Sequence, residues 1–285
     1  MKGNSYNGTP GIGRKAAICL VTLVLGFGLA ACSSSDGALP ADTGGGSTTT
    51  PPAFTAGSLN QAAYVGGSAT YRFGHNSIPN LAIADAPADA DYTRWAMLHD
   101  GSVYRLYLFK QGTNDTLYQF GFNRSSGRYE YGHRSIPELK LVNIPDDADT
   151  SRFAMLHDGS TYRLYFRAKS NIFTMYQFGY NPATQSYEFG RNSIPTLFIT
   201  GAPLDVDTSR WAMLHDGSDY RLYLGKTGNE DAIYQFAYNV SSSDYEFGYR
   251  SIDQLTLADT PEGSFTDEFA MLHDGADYRF YYLAE

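Results

Sequence analysis

Apolar and polar positions alternate in short runs along most of this chain. Trp95 to His99 and Tyr104 to Phe109 are β-prone runs parted by Asp100-Gly101, a strong hairpin signal. Leu117–Asn123 and Arg128–His133 form a second pair about the turn-rich Arg124-Ser125-Ser126-Gly127. No stretch shows capped helical periodicity. The four runs predict a meander of four strands, A to D, after which Ser135-Ile136-Pro137 through Asp149 crosses to the next meander, punctuated by Pro137 and Pro145. Parity about Asp100-Gly101 puts Trp95, Met97, Tyr104 and Leu106 on one face and Ala96, Leu98, Arg105 and Tyr107 on the other. Both faces of strand A are apolar, as expected of a strand sandwiched between neighbours. In this register Ala96 lies opposite Arg105, leaving room for the guanidinium, and Arg94 faces Tyr107 as a cation–π pair.

The pattern repeats. Ala96–Gly101 recurs unchanged at Ala154–Gly159, Ala212–Gly217 and Ala270–Gly275, so the histidines at 99, 157, 215 and 273 keep a period of 58 residues. Tyr104-Arg105, Tyr162-Arg163, Tyr220-Arg221 and Tyr278-Arg279 follow at a constant distance. The units run Arg72–Tyr129, Glu130–Tyr187 and Glu188–Tyr245, then an incomplete Glu246–Glu285, and Phe54–Tyr71 has the missing phase. Strands A and B of the last unit therefore come from Glu268–Leu283, and C and D from Leu59–Gly74. Pairing the two ends removes free sheet edges, which an open array would have to cap. The expected fold is all-β, a four-bladed β-propeller of 58-residue repeats with the last blade closed by both ends of the chain. It resembles the haemopexin-type four-bladed propellers in blade number and in an Ala-rich inner strand followed by an aromatic one. Its unit is longer, and the cysteine that closes those propellers is absent, so no functional residue is carried over.

The N-terminus reads as an address. Lys2, Arg14 and Lys15 precede an apolar run from Ala16 to Leu29 that is short for a membrane span, so residues 1–31 are expected to be an export signal. Leu29-Ala30-Ala31-Cys32 resembles the lipobox of bacterial lipoproteins. That resemblance implies cleavage before Cys32 and lipidation of its thiol, and Ser33 after it implies an outer-membrane destination in the cell envelope. Residues 32–57, rich in Ser, Gly, Thr and Pro, read as the lipidated cysteine and a flexible tether, and residues 58–285 as the repeat domain. Losing the signal takes Lys plus Arg from 21 to 18 against 30 Asp plus Glu. A chain this acidic, without a basic stripe, is a poor partner for nucleic acid. Cys19 leaves with the signal and Cys32 is taken by lipid, so no disulfide or thiolate metal site is expected.

Candidate chemistry sits in the repeats. His99, His157, His215 and His273 end the innermost strands and place four imidazoles near one rim. They read either as a site for an axial ion or small ligand, or as four turn contacts to the neighbouring Asp. Asp89/Asp91, Asp147/Asp149 and Asp205/Asp207 are either oxygen ligands for Ca²⁺ or turn chemistry, and the fourth crossover, Pro261-Glu262-Gly263-Ser264, lacks them. After strand D the residues drift while staying polar or aromatic: His75, His133, Arg191 and Tyr249, then Asn76, Arg134, Asn192 and Arg250. Drift there, against fixity in the hairpin, reads either as ligand-facing specialisation or as an unconstrained rim. The 23 tyrosines suit sugar rings and interfaces, though the Tyr104 and Tyr107 series also reads as filling between blades. Every His-Asp unit occurs four times, whereas an active site is one asymmetric constellation, and no P-loop or dinucleotide fingerprint occurs. The expectation is a monomeric, non-catalytic binding protein without a cofactor, taking a glycan or another surface ligand. The alternative is a scaffold for an envelope protein.

Overall fold

The computed structural model describes residues 58–261 and 268–283, which hold twenty strands and no helix. Ser58–Val65 (β1), Thr70–Phe73 (β2) and Leu81–Ala84 (β3) come first. One full unit follows: Ala90–His99 (β4), Tyr104–Lys110 (β5), Thr116–Asn123 (β6), Arg128–Tyr131 (β7) and Glu138–Val142 (β8). Its successors are Ala148–His157 (β9), Tyr162–Ala168 (β10), Thr174–Asn181 (β11), Ser186–Phe189 (β12) and Thr196–Thr200 (β13). Then come Val206–His215 (β14), Tyr220–Lys226 (β15), Asn229–Asn239 (β16), Asp244–Phe247 (β17) and Gln254–Ala258 (β18). Phe269–His273 (β19) and Tyr278–Leu283 (β20) end the described chain. The signal, Cys32 and the tether lie outside the described residues, as does most of the fourth crossover loop.

Strands β4 to β7 pair antiparallel in sequence order. The split unit forms between the chain's two ends: Leu59 pairs with Leu283 and Ala63 with Arg279, while β1 also pairs with β2. The crossovers depart from the expected four-stranded meander, because each carries a fifth strand. In β8, Thr116↔Lys140 to Tyr118↔Glu138 is antiparallel to β6, and Ser186↔Lys140 to Glu188↔Val142 is parallel to β12 of the next unit. Strands β3, β13 and β18 do the same. Third, fourth and crossover strands thus close a ring of twelve. Leu139 and Leu141 are buried while Glu138, Lys140 and Val142 are exposed, the period-two signature of a half-buried strand.

The first strands, β4, β9, β14 and β19, pack against one another around the centre. Four apolar cores separate consecutive units. One joins Trp95, Met97, Leu106 and Leu108 to Leu59, Leu272 and Tyr281, and the next joins Ala96, Leu98, Tyr107 and Phe109 to Phe153, Met155 and Leu164. Each first strand therefore feeds a different core from each face, which is why it is apolar on both.

Two register expectations are corrected. Ala96 pairs with Tyr107 and Leu98 with Arg105, because the turn spans residues 100–103 rather than Asp100-Gly101 alone; the two added residues preserve parity but shift the partners. Ala96 thus makes room for a fully buried phenol. Arg94 sits in an irregularity between Asp91 and Trp95, and its guanidinium lies 4.4 Å over the Phe109 ring instead of facing Tyr107. The aspartate pairs divide: Asp91 Oδ1 accepts the Thr93 N–H at 3.0 Å within its own turn, whereas Asp89 Oδ1 accepts the Tyr118 hydroxyl of β6 at 2.8 Å.

Ring closure predicts that deleting Ser58–Val65 or Tyr278–Leu283 removes the same seam. Either deletion should abolish a cooperative thermal transition followed by circular dichroism. An unchanged melting temperature after loss of Ser58–Val65 would show that the seam does not hold the domain.

Candidate functional site

The repeated hairpin is a link between units. Gly101 takes φ 87°, the left-handed conformation that glycine adopts without strain, and lets the chain reverse. Asp100 Oδ1 accepts the N–H groups of Ser102 at 3.0 Å and Val103 at 2.8 Å. Its Oδ2 accepts Arg105 Nε at 2.6 Å and, from the following unit, the Tyr162 hydroxyl at 3.0 Å. The same bonds run from Tyr220 to Asp158 (3.1 Å), Tyr278 to Asp216 (3.2 Å) and Tyr104 to Asp274 (2.9 Å), closing a belt of four links. Burial opposes ionisation of Asp100, but the Arg105 charge and the turn N–H groups outweigh it and hold the carboxyl well below the usual carboxylate range. Asp158 and Asp216 behave alike. Burial, then the Asp100 charge, pushes Tyr162 up to about 12, so it stays a donor.

The histidines do not hydrogen-bond to their aspartates. Each ring packs on the tyrosine of its own hairpin at 4.4–4.6 Å between centroids. The four surround a central gap of about 10 Å³, the room of a single water. Burial lowers the pKa of His99, His157 and His215, favouring neutral rings. Among the described residues no group of His, Cys, Asp or Glu is arranged to hold a metal ion. At the rim the rings are thus held by packing on tyrosine, and His99 Nε2 is buried without a hydrogen-bond partner.

Open space lies between units instead. Arg105 Nη1 donates to the Arg134 carbonyl at 2.7 Å. Gln119 Oε1 accepts the Ile136 N–H at 2.7 Å, while its Nε2 donates to the buried Tyr107 hydroxyl at 2.6 Å. These bonds fix the loop 132–137, whose backbone passes so close to Gly121 that an added Cβ would meet the His133 carbonyl oxygen at 2.1 Å. Across the gap stand Tyr162, Tyr180 and Tyr187 of the next unit, enclosing a cleft of 430 Å³. Tyr180 lies 5.8 Å from Tyr162 and 5.4 Å from Tyr187, forming a continuous aromatic wall. A second cleft of 420 Å³ lies between Arg163, Gln177 and Asn192 and the wall Tyr220, Tyr238 and Tyr245. A third of 520 Å³ lies between Arg221, Gln235 and Arg250 and Tyr278, Tyr64 and Tyr71. At the fourth equivalent place Phe122 stands where the others have a tyrosine.

Of the residues singled out in the sequence, Arg134, Asn192 and Arg250 line these clefts. Asn76 holds the same place in its unit, and all four take positive φ, between 42° and 45°. The preceding position does not join them: His133 Nδ1 lies 3.9 Å from Glu130 and Arg191 Nη1 3.8 Å from Glu188, while His75 and Tyr249 line none of the three clefts. Sequence reasoning missed the hairpin arginines, the glutamines and the tyrosine walls. The Tyr107 series is fully buried filling, as expected, but Tyr162, Tyr220 and Tyr278 of the Tyr104 series line clefts. A glutamine fixed at 61, 119, 177 and 235, between aromatic neighbours in the last three, was the available signal.

No family model and no curated protein matches the chain. Among solved structures it is similar to a variant of the Aleuria aurantia lectin in complex with α-methyl-L-fucoside, at 17% identity over 72% of this chain and 57% of that one, TM-score 0.34. A structure of fungal lectin described as a six-bladed β-propeller with a fucose recognition mode for the Aleuria aurantia lectin gives 13% identity over 76% and 60%, TM-score 0.31. AofleA from Arthrobotrys oligospora gives 14% over 66% and 49%, TM-score 0.28. The chain spans about half to three fifths of these proteins' lengths. At these identities and TM-scores the likeness assigns no ligand.

The belt gives a sharp expectation. Asp100→Asn and Tyr162→Phe should each cost about 1.5–3 kcal/mol in urea unfolding, the range for hydrogen bonds to a charged group, and couple non-additively in a double-mutant cycle. Asp100→Asn with Tyr278→Phe, which sits on another link, should be additive. Because the folded carboxyls have depressed pKa values, their stabilisation is complete above the unfolded value near pH ~4 and is lost as pH falls below it. The wild-type urea midpoint should therefore drop with acid below that pH, and less steeply in Asp100→Asn.

Proposed function

We propose that the four units are the blades of a four-bladed β-propeller and that the domain is a non-catalytic glycan-binding module, with saccharides seated in the clefts between blades. One observation carries the reading: three clefts of 420–520 Å³ repeat the pairing of a tyrosine wall with a hairpin arginine. A pyranose ring has an apolar C–H face that packs on a phenol ring and hydroxyls that accept from a guanidinium. The clefts fall within the roughly 300–1,000 Å³ of small-ligand sites. Single sugars bound in such open clefts are held weakly, and a ligand bridging several clefts gains from effective concentration.

The N-terminal resemblance supports a setting for this module. A lipid on Cys32 would anchor the chain to the membrane, in the outer membrane by the residue that follows, and residues 33–57 would tether the domain.

Two measurements test the reading. Tyr180→Ala, Tyr238→Ala and Tyr64→Ala should each remove one cleft's binding in saturation-transfer NMR against an oligosaccharide panel, and the triple variant should bind none. Undiminished binding by the triple variant would move the site elsewhere. For the anchor, Cys32→Ser should release the protein from the membrane fraction or leave its signal uncleaved, and continued fatty-acid labelling of that variant would disprove lipidation there.

A further inference from the structure

The three clefts share a frame but not a charge. In each, the hairpin arginine is neutralised from behind by its own aspartate: Arg105 by Asp100, Arg163 by Asp158, Arg221 by Asp216. What differs is the left-handed position and the residue two places before the arginine. The cleft of Arg221 has Arg250, but Asp219 lies 3.1 Å from Arg250 Nη1 and 3.3 Å from Arg221 Nη2, so that pair cancels. The cleft of Arg163 has the neutral Asn192, with Thr161 in place of that aspartate. The cleft of Arg105 has Arg134 at its mouth and Val103 in place of the aspartate. No carboxylate lines any of the three clefts, and, unlike Arg250, the Arg134 side chain is engaged by no hydrogen bond or ion pair among the described residues.

Backbone conformation sharpens the contrast. Position 134 takes φ 45°, where asparagine is tolerated better than arginine; Asn76 and Asn192 occupy the same place in their units at 44° and 42°. The loop's hydrogen bond needs only the carbonyl of this residue, which any residue supplies. Arginine at 134 thus serves neither the turn nor the loop, and its exposed guanidinium faces a ligand-sized cleft.

We propose that the cleft between Arg105 and Tyr180 is specialised for an acidic saccharide, one whose carboxylate is gripped by Arg134 while its ring packs on the tyrosine wall. A guanidinium and a carboxylate match as a two-pronged hydrogen-bonded pair. The self-cancelled cleft of Arg221 and the neutral cleft of Arg163 take uncharged sugars. This inference rests on the glycan-binding reading and adds the ligand class of one cleft.

The test is a titration of the intact domain with matched probes, a glucuronate-terminated and a glucose-terminated oligosaccharide, followed by calorimetry and NMR. Wild type should bind the acidic probe about tenfold more tightly, with an advantage that shrinks as salt rises. Arg134→Asn should erase that advantage while keeping binding of the neutral probe and the melting temperature. Asp219→Val, which gives the cleft of Arg221 the residue found at 103, should add a second acidic-probe site. Equal affinity for the two probes, unmoved by Arg134→Asn, would overturn the specialisation and leave the glycan reading standing. No binding of either probe by the wild type would overturn both.

Discussion

The fold depends on one carboxylate used four times. Asp100 and its equivalents satisfy the turn that follows them, neutralise the arginine of their own hairpin and receive the tyrosine hydroxyl of the next unit. A buried charge is expensive unless it is fully partnered, and here the partners come from two units at once. No unit can complete its own hairpin chemistry alone. That constraint explains why Asp-Gly and Tyr-Arg are identical in all four repeats while neighbouring positions drift. The same arginine reaches outward to the loop carbonyl, so the element that closes the ring also sets the width of the clefts.

Adhesion between units has a second layer in the crossovers. Each crossover strand lies antiparallel to its own unit's third strand and parallel to the next unit's fourth, so backbone hydrogen bonds bridge every boundary. Buried side chains join the units near the centre, and strand pairing joins them through the third and fourth strands. Fourth strands that would otherwise expose unpaired N–H and C=O groups are thereby covered.

Much of this was legible in the sequence, for identifiable reasons. Strand positions followed from alternation, and the assembly of the last unit followed from the phase of Phe54–Tyr71 against the missing residues. The crossover strands were hidden because Pro137 and Pro145 flank a run of only five residues. Pairing partners slipped because Asp100 Oδ1 organises a four-residue turn, which parity alone cannot distinguish from a two-residue one. The link between Asp100 and Tyr162 was beyond reach, since in a perfect repeat a contact within a unit and a contact between units leave the same pattern. For the same reason the clefts, which draw their two walls from different units, were seen only through the drift at Arg134, Asn192 and Arg250.

The seam between β1 and β20 has a consequence for biogenesis. Gln61 bonds to Tyr281 across 220 positions of sequence, so the first of the described strands to leave the ribosome waits for the last of them. Until then the chain holds three complete hairpin systems and two half-units with open edges, a state whose exposed strands invite pairing with another chain. Joining partners so far apart in sequence makes this step slow compared with the local hairpins. Translation that stops short of Tyr278 leaves β1 without its partner at any folding time, so β20 is a condition for β1 to be native.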